Sequence, residues 1–188
     1  MAYIEDKDFR EIDFTKESFP ATEFENCNFY NCNFSKTSLN DFTFVECLFD
    51  QCDFSLARIS NTAFRIVKFR GCKLLGINFR DSNPFLLALD FDDSQLNLSS
   101  FYKLPLKGTT FKSCSLREVD FESADLTDAL FEDCDLADAV FESTNLAKAD
   151  FRTAYHFSID PDSNNIAKAK FSTGGLRGLL EKYNLVIE

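Results

Sequence analysis

Cys27-Asn28-Phe29-Tyr30-Asn31 is followed at once by Cys32-Asn33-Phe34-Ser35-Lys36, and the same five-residue phrase returns at Ala124-Asp125-Leu126-Thr127-Asp128. Each phrase holds a small residue, a polar one, a large apolar one and two more polar ones. Working outward from Phe34, the large positions run back through Phe29, Phe24, Phe19, Phe14 and Phe9. They run forward through Leu39, Phe44, Phe49, Phe54, Ile59, Phe64, Phe69, Leu74 and Phe79. Pro84 interrupts, the phase shifts by two, and from Phe91 the step of five resumes through Leu96, Phe101, Leu106, Phe111 and onward to Phe151. Counting Phe171, which keeps the same phase, 20 of 23 Phe sit on this comb; Phe42, Phe85 and Phe157 do not. A period of five is neither 3.6 nor 2, which excludes an amphipathic helix or an alternating strand as the main element.

A second comb of small residues lies two positions before the first: Thr22, Cys27, Cys32, Thr37, Cys47, Cys52, Ala57, then Cys114, Val119, Ala124, Ala129, Cys134. Each unit therefore turns one bulky and one small group inward and three polar groups outward. Such a chain closes around an axis, four units making a coil of about 20 residues. Coils stack at the parallel-strand spacing, and seven to eight of them give an all-β solenoid rod on the order of 35 Å long. The repeat domain is expected over 1–172, re-phased near 81–91 and interrupted at 155–165, with a tail over 173–188.

The 188 residues carry a net charge of −11 and a single His. That balance argues against direct nucleic-acid or anionic-membrane binding and favours a basic partner. No apolar run approaches the roughly 18 residues of a membrane span, and the start, MAYIEDKDF, is too acidic for a signal peptide; a cytoplasmic location is the expectation. All seven Cys lie on the small comb, with no Cys-x-x-Cys pair and no accompanying His, so they read as small buried hydrophobes rather than a metal or disulfide set. His156 has no nucleophile and acid set around it, and no phosphate-binding glycine loop appears. No cofactor is expected, and an enzyme is not.

Charge is segregated. Between Phe54 and Arg80 stand Arg58, Arg65, Lys68, Arg70, Lys73 and Arg80 with no acid. Between Glu118 and Glu142 stand Glu118, Asp120, Glu122, Asp125, Asp128, Glu132, Asp133, Asp135, Asp138 and Glu142 with no base. A 20-residue coil aligns Lys112–Glu132–Arg152 and Asp128–Lys148 as opposite charges, and Glu122–Glu142 and Glu118–Asp138 as like charges. Screening by water and salt is one reading of the acidic girdle; attraction of a positively charged groove is the other. At the break, Phe85, Leu87, Leu89 and Phe91 alternate as one extended strand. In the tail, Thr173 is placed to cap a short α-helix with Leu176, Leu179, Leu180 and Tyr183 on one face, and Leu185-Val186-Ile187 reads as a strand. A solenoid end needs a cap, and this tail is more apolar than a cap requires, which suggests a two-fold dimer contact.

The small-polar-[Phe/Leu]-polar-polar phrase resembles the pentapeptide repeat, over about residues 7–155. The resemblance implies a right-handed quadrilateral β-helix ending in a short α-helix and strand. Within that family, the total size, the near-unbroken repeats, the central re-phasing and the helix–strand tail are most similar to the Qnr and mycobacterial-type proteins that protect DNA gyrase and topoisomerase IV from quinolones. That similarity implies a cytoplasmic homodimer with contacts at Leu176, Leu179, Leu180, Tyr183, Leu185 and Ile187. It also implies a type II topoisomerase partner, approached by the acidic girdle as a DNA mimic. The sequence lacks the surface loops that interrupt many Qnr coils. The alternative is a structural or scaffold module with an unrelated partner.

Overall fold

In the computed structural model, which describes residues 3–186, the chain winds as a parallel β-solenoid with four faces. The strands are short because each unit has only three residues between corners. They are β1 (Tyr3–Glu5), β2 (Asp8–Arg10), β3 (Glu23–Glu25), β4 (Asn28–Tyr30), β5 (Thr43–Val45), β6 (Leu48–Asp50), β7 (Ala63–Arg65), β8 (Val67–Arg70), β9 (Leu89–Asp92), β10 (Thr110–Lys112) and β11 (Leu130–Glu132). One face is the four-stranded ladder β1-β3-β5-β7; another is the seven-stranded ladder β2-β4-β6-β8-β9-β10-β11, all parallel. Isolated bridges extend that longer face through Asp150 to Lys170 and build the remaining two faces.

Following one coil from Phe54, the faces carry in turn Phe54, Ile59, Phe64 and Phe69, here termed the first to fourth faces. Stacked rings fill the axis. On the fourth face the chain Phe9, Phe29, Phe49, Phe69, Phe91, Phe111, Phe131, Phe151, Phe171 is continuous, with centroids 4.6–5.4 Å apart. Rings of opposite faces meet edge-on across the axis, as Phe111 meets Phe121 at 5.8 Å and 81°. Offset stacking along the axis and edge-to-face contact across it are the two favoured aromatic arrangements, so a square coil satisfies both at once. All seven thiols are free and buried, most of them placed to donate to carbonyls of the coil before. Burial pushes the Cys27 and Cys47 thiols upward, the latter to about 12.

Most corners are turned by the residue two after the bulky one, whose φ is positive: Lys36, Leu56, Gly76, Leu98, Glu118 and Asp138 along one edge, for example. The preceding Asp or Asn supports the turn. Asp53, Asp120 and Asp125 each accept the N–H two residues on, at 2.8, 2.9 and 3.1 Å.

At the break the register changes. Ala63 bridges Asn83, 20 residues on, whereas Val67 pairs with Leu89, 22 on. The alternating strand expected from Phe85 is shorter than predicted: only Leu89–Asp92 is strand, and Phe85 and Leu86 form an exposed turn, 64% and 63% accessible. The coil takes up the two extra residues after that turn, at Leu87-Ala88, where Leu87 packs partly buried against the core while Phe85 and Leu86 face solvent. Phe42 and Phe157, also off the comb, are buried.

The tail also differs from expectation. Residues Thr173–Leu179 and Glu181–Tyr183 are 3₁₀ turns rather than an α-helix, and Ser172, not Thr173, is the cap, its Oγ accepting from Gly175 N–H. Three glycines weaken any α-helix here, and close packing on Phe157 holds the tighter coil: a Cβ on Gly178 would lie 2.3 Å from the Phe157 carbonyl oxygen. Leu185 and Val186 form no strand; Ile187 lies outside the described residues. Lys182 anchors the tail to Asp160 and Asp162.

Candidate protein-interaction surface

The ten acids of the girdle divide by what they touch. Asp120 and Asp125 are turn supports, the first also accepting from Ser100 and the second from Asn145. Asp135 accepts from Ala137 N–H at 3.2 Å, from Arg117 at 3.3 Å and from His156 Nδ1 at 2.9 Å. Partial burial by itself pushes this carboxyl up, but the His156 hydrogen bond, the Ala137 amide and the Arg117 charge together hold it below the ordinary carboxylate range. Glu132 pairs with Lys112 at 3.0 Å and Asp128 with Lys148 at 3.8 Å. The aligned triad Lys112–Glu132–Arg152 closes only by half, because Arg152 turns to Asp150 at 2.8 Å.

Glu118, Glu122, Asp133, Asp138 and Glu142 remain. Among the described residues none has a cation within 4.0 Å or a hydrogen bond to its carboxylate. Four of these five lie along the second face, on two neighbouring rungs. Glu118 and Asp138 turn successive corners of the edge between the first and second faces, linked by Glu118 N–H to the Ala137 carbonyl at 2.9 Å. Glu122 and Glu142 lie on the second face, one residue short of its far corners at Ser123 and Ser143, where Asp120 and Val140 are in register. Asp133 sits apart, at the corner leading back to the first face. The girdle of the sequence is thus, in space, four unpaired acids along one face, a fifth apart at Asp133, and five acids already engaged.

The basic belt is likewise partly spent. Arg70 is bound to Asp50, the Arg65 guanidinium covers the Phe85 ring at 5.6 Å, and Arg80 covers Tyr102 at 4.9 Å. His156 is an exposed corner residue with φ of 59° whose one ring nitrogen holds Asp135. No group of three or more His, Cys, Asp or Glu side chains among the described residues is arranged to hold a metal ion. No helix there is long and apolar enough to cross a membrane.

Of the tail residues considered as dimer contacts, Leu176, Leu180, Tyr183 and Leu185 are exposed, whereas Leu179 packs against the core. Val186, 90% accessible, adds to the exposed apolar set. A cavity of about 880 Å³ runs between this tail and Tyr155–Ser158.

A family profile described as pentapeptide repeat region matches residues 17–84 and 82–151. Among solved structures, a trypsin-treated variant of QnrB1, a plasmid-mediated fluoroquinolone resistance protein, is similar over 100% of both chains, with TM-score 0.50 and 19% identity. HetL, a pentapeptide repeat protein involved in heterocyst differentiation regulation from the cyanobacterium Nostoc sp. strain PCC 7120, is similar over 92% of this chain and 87% of its own, with TM-score 0.59 and 16% identity. At such identities the likeness is one of fold. No curated protein sequence matches the chain.

Proposed function

This chain belongs to the pentapeptide-repeat family, and from that premise we propose that it is a non-enzymatic interaction rod whose partner-binding surface is the unpaired acidic patch. The carrying observation is the four-acid cluster Glu118, Glu122, Asp138 and Glu142 with no cation against it. Like charges about 5 Å apart on neighbouring rungs are unfavourable unless something offsets them, and a basic groove does. The proposed partner is a type II topoisomerase, DNA gyrase or topoisomerase IV. There the patch occupies the path of DNA phosphates, and the rod lowers sensitivity to quinolone-type inhibitors. A homodimer through Leu176, Leu180, Tyr183 and Leu185 doubles the rod, and a cytoplasmic location goes with that partner.

Charge arithmetic confines the mimicry to the patch. Duplex DNA carries one charge per roughly 1.7 Å of axis. The four acids of the patch fall within little more than one coil, on the order of 6 Å, a comparable density. The net charge of −11 spread over about 40 Å of stacked coils is nearer one per 3.5 Å, about half that of DNA. The basic belt favours a second reading, a scaffold with an unrelated partner. Purified protein at micromolar concentration is expected to alter gyrase supercoiling and to reduce its quinolone inhibition, and the variant E118Q/E122Q/D138N/E142Q to lose both effects. Unchanged supercoiling with and without the drug removes the topoisomerase reading, and a monomer by light scattering favours the scaffold.

A further inference from the structure

The corner position of this solenoid takes a left-handed backbone, and most of its occupants are polar or Gly. Four are apolar, Leu56, Ile66, Leu86 and Leu98, all within residues 56–98 and all more than half exposed. A γ- or β-branched side chain at positive φ is unfavourable, and solvent gains nothing from it. Ile66 and Leu86 belong with Phe85 on the edge between the third and fourth faces, where the break and Arg65 account for the cluster. Leu56 and Leu98 lie on the diagonally opposite edge, the one that continues into Glu118 and Asp138.

That edge reads in order Lys36, Leu56, Gly76, Leu98, Glu118, Asp138. Backbone bonds link Leu56 N–H to Leu75 O, Gly76 N–H to Asn97 O, Leu98 N–H to Arg117 O and Glu118 N–H to Ala137 O, each at 2.9–3.0 Å. Leu75, 41% exposed, flanks the apolar part, and the Leu56 side chain reaches across Gly76 toward the next rung, where an added Cβ would stand 3.0 Å from Leu56 Cδ2. Leu56 to Leu98 spans two coils, about 10 Å, and Glu118 begins one coil later. A ridge of leucines thus runs axially into the unpaired acids.

We propose that Leu56, Leu75 and Leu98 form a docking ridge contiguous with the acidic patch, and that its occupant is a protein surface presenting basic side chains beside an apolar groove. The inference rests on the patch being the partner-binding surface. Duplex DNA fits the ridge on neither count, since it offers no apolar groove and shares the sign of the patch. An anionic bilayer laid along this edge meets Glu118 and Asp138. The ridge therefore supplies what charge alone lacks, discrimination between one basic groove and any other, because apolar contact depends on shape and not on ionic strength.

The test uses the full-length chain and a fluorescein-labelled 18-residue peptide, half Lys/Arg and half Leu/Phe, titrated by fluorescence anisotropy over a range of salt. Two half-exposed leucines becoming covered predict about a tenfold weaker complex for L56S/L98S with the salt slope unchanged. The E118Q/E122Q/D138N/E142Q variant flattens the slope, while I66S/L86S, at least as exposed on the opposite edge, binds as wild type. Equal effects of L56S/L98S and I66S/L86S, or equal binding of an all-Lys peptide, overturn the ridge, as does tighter binding to phosphatidylserine vesicles than to the peptide. A parallel titration with gyrase separates the two ideas. Peptide binding as expected with no gyrase binding removes the topoisomerase but keeps the ridge. Gyrase binding insensitive to L56S/L98S removes the ridge but keeps the topoisomerase.

Discussion

Truncating one ring in the middle of the axis, Phe131→Ala, is the sharpest probe of how this rod is held. Phe131 is fully buried, face-stacked on Phe111 at 5.0 Å and on Phe151 at 4.6 Å, and edge-on to Phe121 at 5.9 Å and Phe141 at 6.4 Å. Phe→Ala in a core costs about 3–5 kcal/mol. Two stacked partners and a rigid, hydrogen-bonded coil that cannot collapse into the cavity place this site near 4–5 kcal/mol. Phe9, at the N-terminal end of the same column, is only partly buried and has one stacked neighbour, Phe29 at 4.8 Å. Phe9→Ala is accordingly expected to cost about half as much. Because each coil contacts only its neighbours, the two variants should also differ in cooperativity. F9A keeps a single urea transition; F131A broadens or splits it as the coils on either side uncouple. Equilibrium urea unfolding followed by circular dichroism gives both quantities. Equal midpoint losses for F9A and F131A would refute the claim that stacked rings along the axis carry the stability.

The remaining predictions follow from single contacts. Gly178→Ala, which drives a Cβ into the Phe157 carbonyl, should release the tail and speed tryptic cleavage at Arg177 and Lys182, whereas Gly174→Ala, with nothing within 4 Å, should not; equal cleavage rates contradict the docking described. The seven buried thiols should resist Ellman's reagent in the native state and react together in guanidinium, and early reaction of even one or two argues for an exposed ladder. At low salt, E118Q/E122Q/D138N/E142Q should melt about 2 °C higher than wild type, the gain fading with added salt; a lower melting point means those acids are paired after all. Asp13, held near pKa 2 first by Lys16 and then by Thr15, and Asp135 and Asp150, held below their ordinary value by their hydrogen-bonding and charged partners, are depressed in the folded state. Their contribution is complete above the unfolded pKa near 3.8 and is lost as pH falls toward 2, so chemical stability should decline across that window and be flat from pH 5 to 7 as far as these groups decide it.

The inward half of this molecule was legible because the period of five leaves no choice. A ring every fifth residue and a small residue two before it reach one axis only in a square coil, and the shift at Pro84 appears in space as a register of 22 in place of 20. Phe85 misled because alternation with Leu87, Leu89 and Phe91 is a valid strand signal. Phe85 follows Pro84 as the first residue of the turn, so its ring faces solvent against Arg65 while Leu87 packs on the core. The tail misled differently: the spacing of its leucines fits an α-helix, but Gly174, Gly175 and Gly178 permit a tighter coil pressed on Phe157.

The outward half was legible only in part, and the reason is rotameric. A 20-residue coil told which charges align, and Lys112 does meet Glu132, but Arg152, one coil from Glu132 and two residues from Asp150, takes the latter. Whether an aligned acid is engaged therefore depends on side-chain choices that spacing does not encode, and only coordinates separate Asp135, held by three donors, from Glu118, held by none. The corner leucines show the converse. The position two after each bulky residue is polar or Gly at most corners because its backbone is left-handed and its side chain faces water. Leu56 and Leu98 break that rule in the printed sequence, and the departure is visible once the five-residue frame is drawn. In a solenoid whose inward positions are all spoken for, an outward residue that opposes both its backbone and its solvent is the place to look for a contact that repays it.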